Sequence, residues 1–154
     1  MKQKMPEVFE FQNKKYDWRR EVQETVVPGL GKWNDVIHLT PIEPFETVKE
    51  LKEAGVWKKW NWKAYKINPN DLDQSKLVIM TSEINNYPDN KHSILHFEPF
   101  SIKLLKENSH LPDVTKLYYR DCKKKNKNPL IYVYATHVLY KGTIDTTNLE
   151  IVEV

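Results

Sequence analysis

The chain has 154 residues, 40% hydrophobic, 12% aromatic and 29% charged, with 24 Lys+Arg against 21 Asp+Glu for a net charge of +3. That length suits one domain with a real core, and the composition excludes a disordered chain. The mild basicity, the single cysteine and the lack of any apolar run near 18 residues exclude an intrachain disulfide framework and a membrane-spanning helix. With no apolar leader at the N-terminus, the expectation is a cytoplasmic, soluble protein. Its wealth of Lys and Asn suits a bacterial or phage gene.

In chain order, Val8–Phe11 reads as a short strand. Residues 17–27 read as a helix: Asp17 caps it, Trp18, Val22 and Val26 share a face, and Pro28-Gly29 stops it. Residues 35–40, "DVIHLT", read as a strand. In the following "TPIEPFETVKELKEAG", Thr40 and Glu43 have capping-box spacing and Pro41 takes the first helical position. Ile42, Phe45, Val48 and Leu51 recur every three residues, and Gly55 supplies a left-handed stop. Pro44, inside the first turn, delays the regular helix.

Residues 60–64 alternate as a strand, with Trp60 and Trp62 on one side and Lys59, Asn61 and Lys63 on the other. Trp57 falls outside that alternation and is the tryptophan expected to be exposed. Residues 68–75 read as a loop, 76–81 as a strand, 82–91 as a loop and 93–97 as a strand. Pro99 starts a helix running to about Glu107. Residues 113–125 form a helix with Val114, Tyr118 and Cys122 on one face. Residues 130–140 form a long strand, and 148–154 the last one. The mixture lacks a βαβ rhythm. The expected fold is therefore α+β: one domain over 1–154, with a mixed or mainly antiparallel sheet of about five to seven strands and three or four helices.

Histidine offers few sites. His92 and His96 would lie on one face of a helix, but on the expected strand they stand about 13 Å apart, so no metal centre is expected. His110 and His137 have no evident partners. His38 differs, because it shares a strand face with Thr40 just before a helix N-terminus, where free N–H groups attract anions. Two-histidine phosphoesterases use such an H-x-T strand, but the other histidines here read HSI, HFE, HLP and HVL, so the second motif is missing.

"VIHLTPIEPFETVKELKEAG" also resembles the opening strand and helix of the ADP-ribosyltransferase superfamily, its DarT-like branch. The resemblance covers residues 36–55. It implies NAD as cofactor, with His38 and Thr40 in cofactor contact and in the catalytic set. The stacking aromatic would be Tyr65, and the transfer glutamate Glu98 or Glu150. The arginine-bearing motif of that family is not found here.

The basic-aromatic features point elsewhere. "GVWKKWNWKAYKI" places three of the five tryptophans within residues 57–62 among lysines, and "DCKKKNKNP" gathers four lysines at a helix end. Single-strand nucleic-acid binders pair basic grooves with stacking platforms. The candidate partner-binding residues are Trp57, Lys58, Lys59, Lys63, Lys123, Lys124 and Lys125. With no convergent catalytic set, the favoured expectation is a small binding or effector protein with no cofactor, engaging a protein or nucleic acid. The NAD-using transferase is the alternative.

Overall fold

The computed structural model describes residues 24–58, 62–89 and 93–154. The strand expected at 8–11 and most of the helix expected at 17–27 lie outside them. Within them that helix does not reach its expected end: Val26–Val27 is strand β1, paired antiparallel with β2, Gly31–Lys32. Pro28 and Gly29 turn the chain between the two, so the Pro-Gly pair closes a hairpin instead of ending a helix.

The fold is α+β with antiparallel sheets. The main sheet contains β3 (Ile37–Leu39), β5 (Leu77–Glu83), β6 (Ile94–Pro99) and β7 (His137–Tyr140), in the order β3-β7-β5-β6. Because side chains alternate along each strand, the register sorts them cleanly. His38, Leu139, Val78, Met80 and His137 point to one face; Ile37, Leu39, Val138, Tyr140, Leu77 and Ile79 point to the other. Val27, Leu30 and Trp33, from the β1–β2 hairpin and the single turn Trp33–Asp35, cover the first face. Leu72, Phe100, Leu105 and Ile144 cover the second. A separate ribbon pairs β4 (Lys63–Lys66) with β8 (Glu150–Glu153).

Three helices are described: α1 (Pro44–Glu53), α2 (Ile102–Glu107) and α3 (Asp113–Lys124). Helix α1 begins at Pro44, not Pro41, because Thr40 is committed elsewhere. Its hydroxyl donates to Thr136 O at 3.2 Å and accepts from Ile42 N at 3.3 Å, tying the end of β3 to β7. That start also resets the apolar face. A three-residue repeat drifts by about 60° per step on an α-helix, so Thr47, Val48 and Leu51 are buried while Phe45 is 59% exposed.

Gly55 behaves as expected. At φ +70° it sits in the left-handed region, Gly55 N donates to Lys52 O, and Val56 N donates to Leu51 O, the paired bonds of a Schellman stop. A methyl group there has the Lys123 side chain as its nearest neighbour, in ordinary contact with Cε at 3.5 Å. The cost of Gly55→Ala is therefore conformational, about 1 kcal/mol, read as a lowered midpoint in urea unfolding without a change in slope.

Two further expectations are corrected. Pro99 ends β6, and α2 starts after Ser101, whose side chain accepts from Leu104 N. The run 130–140 is strand only from His137 onward. In α3 the buried positions are Thr115, Tyr119 and Cys122, with Val114 and Tyr118 only half-buried. Thr115 and Tyr119, four residues apart on one helix face, capture the 130–136 segment by its backbone. Thr115 Oγ1 donates to Val133 O at 2.8 Å, and the Tyr119 hydroxyl donates to Ile131 O. Leu130 N donates to the Tyr118 hydroxyl at 3.1 Å, and Tyr134 takes a positive φ of 59°. Carbonyls bound by a helix are lost to a sheet ladder, so the segment turns along α3 before β7 begins.

Candidate nucleic-acid interface

The Schellman stop turns the chain sharply after α1, and Val56 and Trp57 pack half-buried against the core of Ile42, Leu51, Leu111, Tyr119 and Ala135. Trp57 is thus less open than expected. Trp62, just before β4, is also half-buried, and Trp60 and Lys59 lie outside the described residues. β4 starts at Lys63, so Trp62 precedes it, and the rest of the alternation expected at 60–64 begins outside the described residues. Trp57 and Trp62 belong to a row of rings. The Trp57 and Trp62 rings are 6.4 Å apart, Trp62 and Tyr132 are 6.1 Å apart, and Lys52 Nζ stands 5.7 Å from the centre of a Trp57 ring.

The same turn delivers the α1–β4 connection to the end of α3. Lys58 Nζ donates to Asn128 Oδ1 at 2.6 Å, and the Lys123 side chain lies alongside Gly55. Two lysine-bearing segments separated by some seventy residues therefore meet beside the aromatic row. Lys123, Lys124 and Lys127 are exposed and make no ion pair among the described residues. They surround a helix C-terminus, where the dipole is negative and cations are stabilised.

Not every anticipated lysine joins this face. Lys63 pairs with Glu153 at 2.6 Å across the β4–β8 ribbon, and that hydrogen bond holds its ammonium pKa above the usual value. Both partners are exposed, so the pair adds little stability. Lys125 pairs with Asp121 at 2.6 Å; the same carboxylate accepts from the Tyr87 hydroxyl at 3.3 Å. Lys52, Trp62, Tyr132 and Asn128 belong to the face although sequence spacing did not single them out as site residues. Cys122 is buried, as a structural thiol is.

Of the residues drawn from the ADP-ribosyltransferase resemblance, Glu98 does not face His38. Glu98 pairs in register with Ile79, and so points to the sheet face opposite His38; it sits three strands away, about 14 Å by strand spacing. Tyr65 is 53% exposed on the β4–β8 ribbon, and Glu150, on the same ribbon, pairs with Lys66 at 3.6 Å. Thr40 spends its hydroxyl hydrogen on Thr136 O.

His38 has a neighbour that spacing alone did not indicate. His137, two residues from the partner of His38 in the β3–β7 register, projects from the same face, and the ring centres are 6.0 Å apart. Trp33 packs against His38 with ring centres 4.3 Å apart and the planes tilted by 52°. Burial pushes the His137 pKa down to about 4, opposed by its bond to Tyr132 O and aided by His38, whose own pKa is also lowered by desolvation. The unfolded chain takes up a proton at His137 below about 6.5, the folded chain only below about 4. Stability is therefore unaffected above pH 6.5 and falls as pH drops from 6.5 to 4, by on the order of 3 kcal/mol. Urea unfolding at pH 7 and pH 4.5 checks this: the wild type should lose more stability between the two than His137→Gln does.

Among the described residues, no helix is long and apolar enough to cross a membrane. No family model, curated protein or solved structure matches the chain.

Proposed function

We propose that the protein binds single-stranded nucleic acid on the face where the end of α1 meets the end of α3. The observation that supports this reading is the meeting of Trp57 and Lys58 with Lys123 and Asn128, next to the Trp57–Trp62–Tyr132 row. Lysines at the rim neutralise phosphates while aromatic faces accept bases, and neither requires a particular sequence. Lys52 sits over Trp57 and places a charge within reach of a phosphate flanking a stacked base.

Fluorescence anisotropy of a labelled oligothymidine strand tests the reading. The wild type is expected to bind saturably and to bind a matched duplex more weakly, since paired bases cannot stack on the row. Trp57→Ala should weaken single-strand binding by about 1–3 kcal/mol. Equal binding of duplex and single strand, or no effect of Trp57→Ala in a folded variant, would count against base stacking. Absent binding would leave a protein partner as the use of this face.

A further inference from the structure

Outside that face, the described residues contain one pair of imidazoles whose surroundings have a specific chemical meaning. His38 and His137 come from neighbouring antiparallel strands and share a sheet face. Each is held in the same way. His38 Nε2 is 3.0 Å from Trp33 O, and His137 Nε2 is 3.1 Å from Tyr132 O, both carbonyls lying five residues earlier in the chain. A carbonyl can only accept, so in the neutral form of each ring the proton is on Nε2 and the lone pair on Nδ1. Neither Nδ1 has a hydrogen-bond partner among the described residues. Two neutral rings thus present acceptors and no donors.

We propose that His38 and His137 form a two-imidazole site for a divalent transition-metal ion, of the zinc or nickel class. Ligating histidines characteristically donate their second ring N–H to a backbone carbonyl, which fixes the tautomer and aims the lone pair; both rings have that bond in place. With metal–nitrogen bonds of about 2.1 Å, rings that share one tetrahedral ion have centres about 5 Å apart, so these rings, 6.0 Å apart at an interplanar angle of 84°, need to close by only about 1 Å. His38 is exposed and gives the ion its way in, while Trp33 shields one side. No group of three or more His, Cys, Asp or Glu forms a site among the described residues. Water or an external ligand therefore completes the coordination, and imidazole-only ligation favours zinc or nickel over calcium or magnesium.

Titration calorimetry of the full chain with zinc chloride, repeated with nickel chloride, tests the site at pH 7.5. The expected result is saturable binding of one ion, weakened at least about tenfold in His38→Ala. His96→Ala removes an exposed histidine paired with Glu83 and should bind as the wild type does. Nickel should also quench tryptophan emission, because Trp33 lies on His38. His137→Gln should match His38→Ala; if burial makes that variant unfold, His38→Ala alone decides, its fold confirmed by circular dichroism without metal. Binding in His38→Ala as tight as in the wild type, or no saturable binding by the wild type, overturns the proposal.

Discussion

Tyr119→Ala should be the most damaging single change on α3, costing about 3–5 kcal/mol and, in a chain of ordinary stability, most of the folded population at 37 °C. Tyr119 is fully buried and is the largest such side chain in the described residues. It touches the core of Ile42, Leu51, Leu111 and Ala135, which joins α1, α3 and the turn before β7. Alanine leaves a cavity at that junction and frees the Ile131 carbonyl. Tyr119→Phe separates the two effects. It keeps the ring and removes only the hydroxyl that holds Ile131 O, so it should cost about 1–3 kcal/mol. Urea unfolding of both variants gives the two values; equal losses would mean that ring packing contributes nothing beyond the hydroxyl.

The second large effect is on binding. Trp57→Ala combined with Lys123→Glu and Lys124→Glu should weaken oligothymidine binding by about two to three orders of magnitude, since one stacked base and two phosphate contacts are lost together. Lys123 and Lys124 are exposed, so reversing their charge should leave the melting temperature close to the wild-type value. Lys63→Glu is the informative contrast. Lys63 is held by Glu153 on the ribbon, and its reversal should alter binding little. The triple variant is expected to fold, since Trp57 is only half-buried, although its loss opens the space beneath Lys52.

Much of the fold could be read from local chemistry. The strands at 37–39, 77–83 and 94–99 and the Gly55 stop follow from β-branched runs and from a residue that tolerates positive φ. Two of the errors share one cause, which is a partner from another element overriding a local preference. Thr40 has the spacing of a cap, but Thr136, just before β7, takes its hydroxyl hydrogen. Residues 130–136 have strand propensity, but the Thr115 and Tyr119 side chains take two of their carbonyls. Pro28-Gly29 reads equally as a helix stop or a hairpin turn, and only pairing with β2 decides between them.

The candidate site was legible in the same partial way. Trp57, Lys58 and the α3 lysines stand out by composition, whereas their proximity depends on how α1 and α3 pack. Tyr132 falls within the run expected as a long strand and instead extends the aromatic row from a turn. His137 carried no sequence signal, because its relation to His38 exists only in the register of two strands nearly a hundred residues apart.

The salt dependence of single-strand binding tests the central claim most directly. Anisotropy titrations of labelled oligothymidine between 50 and 300 mM salt should give a straight line of log affinity against log salt, with a slope of about −2 to −3 for three to four phosphates contacted. Lys123→Glu with Lys124→Glu should make that slope shallower by about 1.4, while Trp57→Ala lowers affinity and leaves the slope unchanged. A slope near zero in the wild type, or one indifferent to Lys123 and Lys124, would contradict the account.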